Sequence, residues 1–313
     1  MFGPSGQQAA RVRALSPALI HAHFGPDATH AQPLARALGV PLMVTHHGYD
    51  VTTDDQALAA SAGLRRYLRR RAGLYESAAL VLCVSNFVRE KAIRRGAPAE
   101  KTLVHYLGVD TSWFTPDPAI ARSETVLFVG RLVENKGCEF LLRAMALVKR
   151  SRPECRVVIL GDGPLRPRLG AIARELALGN VSFLSTQPAD AVRRWMNEAR
   201  VLCVPSVTVK SGASEGFGMV FAEAQAMGLP VASFETGGIP EAVGHGTTGL
   251  LAAERDVPGL ARNIIALLSA GSMWQRFSDA ARRRVRERFD LRRQTAALEN
   301  IYRAVLQRET VPA

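Results

Sequence analysis

Ser214-Glu215-Gly216-Phe217-Gly218-Met219-Val220-Phe221-Ala222-Glu223 sets two carboxylates eight positions apart, with two glycines and then an apolar run between them. The run predicts a helix that stops at Gly228, with Pro230 beyond it. A helix start offers unpaired N–H groups and a partial positive charge, which suits phosphate. Gly216 and Gly218 let backbone approach a ligand closely. At ~1.5 Å rise per residue, Glu215 and Glu223 are expected about 12 Å apart along the axis. That separation fits a ligand with hydroxyls at both ends and charge in the middle, such as ribose, diphosphate and hexose. Acids two turns apart also occur on ordinary solvated helices, so the surrounding sequence must decide.

The chain has 313 residues, enough for two domains. A hydrophobic share of 47% and a charged share of 22% are ordinary for a globular protein. No apolar run reaches the ~18 residues of a membrane span. Met1-Phe2-Gly3-Pro4-Ser5-Gly6 lacks the basic and apolar regions of a secretory signal. Cys83, Cys138, Cys155 and Cys203 are scattered, without a C-x-x-C pair. Neither metal nor disulfide use is expected, and the expected location is the cytoplasm. A net charge of +12, mostly arginine, fits an anionic partner. No nucleic-acid module accompanies it, so no nucleic acid is expected.

Short apolar runs recur at residues 19–23, 41–45, 80–84, 125–129, 156–160, 181–184, 201–204 and 230–233, separated by helical patterns such as 140–149 and 165–176. Strands apolar on both faces, alternating with helices, predict parallel sheets in an α/β fold. Thr115-Pro116-Asp117-Pro118 marks a boundary. The expected architecture is two Rossmann-like, doubly wound lobes over residues 1–118 and 119–290. An Arg-rich helical stretch follows from about Trp274 to Gln307. Its end, residues 291–313, is expected to pack across the lobes, with Leu291, Leu298, Ile301, Tyr302 and Val305 as its apolar stripe.

In such sheets ligands bind beyond the C-terminal ends of strands. Gly130-Arg131-Leu132-Val133-Glu134-Asn135-Lys136-Gly137 follows one strand and places two cations in one loop. Arginine gives a fork and lysine a mobile point charge, both suited to a diphosphate. The loop lacks the Walker A pattern. Gly161-Asp162-Gly163-Pro164 follows the next strand as a tight turn, not a G-x-G-x-x-G fingerprint, which speaks against a dehydrogenase. Thr236-Gly237-Gly238-Ile239-Pro240-Glu241 adds a third glycine-bearing loop with Pro240 suited to a helix start.

Together these segments resemble the family 4 glycosyltransferases, which have the GT-B fold. The carriers are G-R-L-V-E-N-K-G at 130–137, G-D-G-P-L at 161–165, the run at 214–231, and G-G-I-P-E at 237–241. Ile20-His21-Ala22-His23-Phe24-Gly25 and Thr45-His46-His47-Gly48-Tyr49-Asp50 are similar to first-lobe segments of bacterial enzymes that build exopolysaccharide and other surface glycans.

The resemblance implies two lobes flanking a cleft and retaining transfer of a hexose from a nucleotide-diphosphate sugar. That sugar would be a co-substrate, with no cofactor and no metal. Gly130, Arg131 and Lys136 would hold the donor diphosphate. Gly216, Phe217, Gly218, Met219 and Val220 would lie near sugar and phosphate. Glu223 would bond the ribose, Glu215 would meet the sugar ring, and His47 would sit near the reacting centre. His46 and His23 are weaker candidates. A glycan or lipid-linked molecule would be the acceptor.

Family members normally carry a longer segment before the match to Ile20, with a Gly-rich loop that touches the donor. Here 19 residues precede Ile20, and Gly3, Pro4 and Gly6 do not rebuild that loop. The first lobe is therefore expected to be incomplete. An inactive donor-binding fragment and a GT-B sugar-nucleotide epimerase are the alternatives. Residues 63–75 are basic and amphipathic, with Leu64, Tyr67, Leu68 and Tyr75 able to share a face. Peripheral contact with anionic lipid at the inner face of the plasma membrane is one expectation there. An ordinary packed helix is the other.

Overall fold

The computed structural model describes residues 6–269 and 271–307. Gly3 and Pro4 lie outside them. Packing divides the chain into two units: residues 1–107, 210–217 and 293–313 in one, and 108–209 and 218–292 in the other. The chain thus changes unit near residue 107, where the proline-rich turn had marked 118, and 210–217 leaves the second unit to join the first.

The first unit contains α1 (Gly6–Ala14), β1 (Ile20–His23), α2 (Gly25–Leu38), β2 (Leu42–His46), α3 (Tyr49–Thr52), α4 (Asp55–Leu58), α5 (Ala62–Ser77), β3 (Leu80–Cys83), α6 (Asn86–Arg94) and β4 (Thr102–Val104). Its strands form a parallel sheet in the order β1-β2-β3-β4. Leu42 to His46 is buried at every position, as a central parallel strand requires.

In α5, Tyr67, Leu74 and Tyr75 are buried, and the helix packs on α2. Of the apolar face weighed above for lipid, Tyr67 and Tyr75 therefore lie in the core, while Leu64 and Leu68 are partly exposed. Arg71 grips Asp55 through two bonds of 2.9 and 2.8 Å.

The second unit contains β5 (Thr125–Val129), α7 (Cys138–Val148), β6 (Arg156–Leu160), α8 (Arg166–Glu175), β7 (Val181–Leu184), α9 (Ala189–Glu198), β8 (Val201–Cys203), α10 (Met219–Ala226), β9 (Val231–Glu235), α11 (Ile239–Ala242), β10 (Gly249–Ala253), α12 (Val257–Leu268) and α13 (Ser272–Arg288). Its six strands are all parallel, ordered β10-β9-β8-β5-β6-β7. The chain winds outward from β5 in one direction, then returns to β8 and winds outward in the other. Doubly wound sheets bind ligands where the winding reverses, here beside the loops that leave β5 and β8.

The Arg-rich C-terminal stretch breaks at Phe289-Asp290 into α13 and α14 (Leu291–Gln307). Leu298, Ile301, Tyr302 and Val305 of α14 pack on Met43, Leu80 and Leu82 of the first sheet. Leu291 is exposed and falls outside that stripe.

The helix of the opening motif begins at Met219, after Gly218 in a left-handed conformation. Glu215 precedes it in coil, so the separation expected from helical rise does not apply to the two acids. Phe221, Ala222, Ala224, Gln225 and Ala226 are buried. A short helix this apolar sits inside its lobe, and its polar ends are where it meets ligand or capping groups. Gly228, at φ 63°, ends it as expected.

Candidate functional site

In the second unit Gly130, Arg131 and Lys136 follow β5 at the C-terminal edge of the sheet, and Gly218, Met219, Val220 and Glu223 lie at or on α10, whereas Gly216 and Phe217 belong to the first unit. Gly130 leaves β5 and its N–H donates to the Leu160 carbonyl at 3.0 Å. Arg131 is exposed, and its side chain makes no hydrogen bond or ion pair among the described residues. Lys136 ends a short 3-10 turn, Glu134–Lys136. Its Cδ lies 3.9 Å from where a Cβ on Gly130 would stand, so the lysine stem folds back over the start of the loop.

The loop after β8 is tied to this one. The Val207 N–H donates to the Asn135 carbonyl at 2.9 Å. Gly137 takes φ 66°, and a Cβ there would stand 1.8 Å from the Pro205 carbonyl oxygen. Both loops flank the point of reversal, and the second leads on toward Gly218 and the start of α10.

Met219, Val220 and Glu223 are partly exposed positions on that otherwise buried helix. The Glu223 side chain makes no hydrogen bond or ion pair among the described residues, and burial raises its carboxyl above the usual range. An ionisable side chain left desolvated without a partner is costly to the fold, which makes Glu223 a candidate for ligand contact.

Sequence reasoning missed three contributors. Glu254, after β10, accepts from the Thr208 N–H at 2.7 Å and from the Thr236 hydroxyl at 2.9 Å, fastening the loops after β8, β9 and β10 together. Thr186 and Gln187, after β7, join Gly130, Arg131, Gly161 and Asp162 around a hollow of about 190 Å³. The signal for these was position alone: each follows a parallel strand at its C-terminal end.

In the first unit, segment 210–217 docks onto the turn that carries His47. The Ser85 hydroxyl donates to the Gly216 carbonyl at 2.6 Å. A Cβ on Gly216 would stand 2.3 Å from the His47 carbonyl oxygen. Gly48 has φ 137° and ψ −73°, a conformation open to glycine. Phe217 is buried, its ring 5.7 Å from that of Tyr106. The structure thus brings the Glu215 segment against His47, two residues that sequence spacing could not relate.

His46 is not an exposed partner. It is fully buried, with Nδ1 2.5 Å from Asp50 and Nε2 3.1 Å from the Tyr75 hydroxyl. Burial pushes the Asp50 carboxyl up, but the His46 ring and the Gly25 N–H at 2.8 Å outweigh it and hold the carboxyl below its usual range. This is a structural network that fixes the turn.

His47 instead meets His23 at 2.9 Å between Nε2 and Nδ1, and its ring lies 4.6 Å from that of Phe24. Burial, then repulsion from His23, lowers His47 to about 4. His21 falls to about 4 for the same two reasons, while bonding the Tyr302 and Thr45 hydroxyls at 2.7 Å each. Both rings are therefore neutral at pH 7, and His47 acts as a hydrogen-bonding group rather than a cation.

This has a consequence for stability. In the unfolded chain His21 and His47 take up protons near pH 6.5. In the folded chain they resist until about 4. Between those values the unfolded state binds more protons, so stability falls as pH falls. A loss on the order of 2 kcal/mol is expected between pH 7 and 4.5, allowing for partial exposure. Thermal melts across that range should show it, and His47→Gln should flatten the slope; an unchanged slope would contradict the neutral ring.

Residues 1–113 match the family described as Glycosyltransferase Family 4, and residues 123–270 match Glycosyl transferases group 1. Together the two matches span most of the chain, and both are to glycosyltransferase families. Among its relatives is WcaL of Escherichia coli (strain K12), named for colanic acid biosynthesis, 32% identical over 78% of this chain and 60% of that one. AmsK of Erwinia amylovora, an amylovoran biosynthesis glycosyltransferase, is 32% identical over 62% of this chain and 48% of its own. The chain thus spans about three fifths of WcaL and about half of AmsK.

Among solved structures, Anabaena Alr3699/HepE in complex with UDP and glucose matches at a TM-score of 0.81 and 24% identity, over 97% of this chain and 84% of that one. Sucrose-phosphate synthase from Thermosynechococcus elongatus matches at 0.80 and 24% identity, over 97% and 77%. At that identity the likeness speaks for fold, and the fold is GT-B, with a Rossmann-like parallel sheet in each unit.

Proposed function

We propose that this protein is a hexosyltransferase that takes its sugar from a nucleotide-diphosphate donor. One observation carries the reading. At the reversal point of a Rossmann-ordered sheet, Arg131 and Lys136 share the loop on one side, and an unpartnered, desolvated Glu223 stands on the helix reached from the other. Cations suit the diphosphate, and a carboxylate suits a pair of ribose hydroxyls. We assign the base to the hollow beside Thr186 and Gln187.

In the reaction the donor's anomeric C–O bond breaks and its electron pair leaves with the diphosphate. The acceptor hydroxyl bonds to the same carbon, and its proton passes to a leaving phosphate oxygen. Charge grows on that phosphate as the bond lengthens, and Arg131, Lys136 and the N–H groups opening α10 stabilise it. These cations support a metal-independent, front-face transfer with retention. Resemblance assigns Glu215 to the sugar ring and His47 to the reacting centre, and the packing of Gly216 on His47 within one unit supports linking those roles.

The acceptor is proposed to be a glycan or a lipid-linked molecule; WcaL and AmsK are named for colanic acid and amylovoran biosynthesis. No helix among the described residues is long and apolar enough to cross a membrane. Contact with anionic lipid would rest on exposed arginines of α5 such as Arg65 and Arg69, which vesicle co-sedimentation at low and high salt tests.

Incubation with UDP-, GDP- and ADP-sugars tests the activity. Transfer to an acceptor, or slow hydrolysis of one donor, is expected, and both should vanish in Arg131→Gln. Donor binding without turnover would favour the inactive fragment, and acceptor-free conversion of donor would favour an epimerase.

A further inference from the structure

The opposite edge of the second sheet carries a different cluster. Arg200 stands immediately before β8, and Arg122 just before β5. Trp274, Ser278 and Arg282 follow one another at helical spacing along one face of α13. Together they surround a hollow of about 430 Å³ whose rim carries the exposed carboxylates of Asp117 and Asp279.

The three guanidinium groups differ in what they do. Arg122 is satisfied: it donates to the carbonyls of Met196 and Ala199 at 2.8 Å each and of Met227 at 2.5 Å. It thereby caps the C-terminal ends of α9 and α10, where a cation is favoured. Arg200 and Arg282 have no such partners. The Nε of each is buried with no hydrogen-bond acceptor, and neither forms an ion pair among the described residues.

The Trp274 ring lies 5.2 Å from the Arg122 guanidinium and 5.6 Å from that of Arg200, so the indole holds two like charges close together. Arg122 is pulled down to about 10, by burial first and then by repulsion from Arg200 and Arg282. α13 begins at this hollow with no side-chain cap and no acid in its first turn, which adds the positive end of a helix. Three cations and a helix start converge, and the two carboxylates at the rim pair with none of the cations.

We propose that this hollow is a second anion site, which binds a phosphate-bearing small molecule through Arg200 and Arg282. Two fork-shaped donors with unsatisfied N–H groups fit phosphate oxygens in a way that lysines would not. The site stands apart from the donor loops, which lie at the other end of the same strands. The phosphate could belong to a soluble ester or to a lipid headgroup, and both present the same chemistry.

Thermal melts of the full chain with sodium phosphate and pyrophosphate, against sodium chloride at equal ionic strength, test it. A ligand that binds the folded state raises Tm with concentration. The phosphate-specific rise should persist in Arg131→Gln, and Arg200→Gln and Arg282→Gln should each weaken apparent affinity at least ~10-fold, about 1.4 kcal/mol. An unshifted response to UDP-sugar in those two variants would show that they fold. Co-sedimentation with phosphatidylglycerol vesicles, lost in Arg282→Gln, would identify a headgroup; a response to free phosphate alone would identify a soluble ester. No phosphate-specific rise, or one that both variants keep, would overturn the site.

Discussion

Glu223→Gln is expected to raise the melting temperature of the ligand-free protein while removing its response to donor. The carboxylate is desolvated and has no hydrogen bond or ion pair among the described residues. At neutral pH its charge is a cost that the amide, of equal size, does not carry. A gain of about 1 kcal/mol corresponds to about 2–4 °C in a chain of this class.

The sign of the pH dependence follows. The folded carboxyl binds its proton more tightly than the unfolded one, so the wild type regains stability as pH drops through the raised value. The variant's advantage should therefore fade in acid. Donor affinity moves the other way. Charge-assisted bonds to hydroxyls are worth ~1.5–3 kcal/mol each, so a loss of about 100-fold in donor affinity is expected. Calorimetric titration and paired melts measure both halves. A variant that melts lower yet binds donor normally would mean that Glu223 is a structural acid.

Gly137→Ala should disable the donor loop from a different direction. The residue takes φ 66°, a left-handed conformation that costs a residue with a Cβ ~1–2 kcal/mol. The new methyl would stand 1.8 Å from the Pro205 carbonyl oxygen and 2.8 Å from its carbon. Backbone on both sides would have to separate, at a further cost of ~1–3 kcal/mol. A total of about 3 kcal/mol is expected, with donor binding lost because the loops after β5 and β8 part. Gly73→Ala is the matched control. It sits inside α5 with nothing within 4 Å of its would-be Cβ, so ~0.5–1 kcal/mol of stabilisation is expected there. Chemical denaturation of both variants decides, and equal effects would contradict the packing of Gly137.

Much of the second unit was legible before its coordinates. Runs such as Thr125 to Val129 and Arg156 to Leu160 became strands over the expected residues, because apolar side chains on both faces suit a buried parallel sheet. Thr102 to Val104 and Gly249 to Ala253 went unread. One is three residues long, and the other opens on glycine and is rich in alanine, so neither shows a strand pattern. The C-terminal helical stretch was visible, but its break at Phe289-Asp290 carries no glycine or proline to announce it.

The site divides in the same way. Arg131 and Lys136 could be named from a loop that follows a strand, and Glu223 from its spacing after Glu215 and from the resemblance. That segment 210–217 packs with His47 rather than with the unit that flanks it could not. The contact pairs Gly216 with Gly48, and two small residues leave no hydrophobic signal of their meeting. Glu254 was likewise hidden, since its partners Thr208 and Thr236 are distant in sequence and joined only by the fold.

A crystal structure of the protein soaked with a nucleoside diphosphate tests the central claim most directly. The pyrophosphate should lie against Arg131 and Lys136, with ribose hydroxyls within hydrogen-bond reach of Glu223. Nucleotide density elsewhere, with those three side chains untouched, would contradict it.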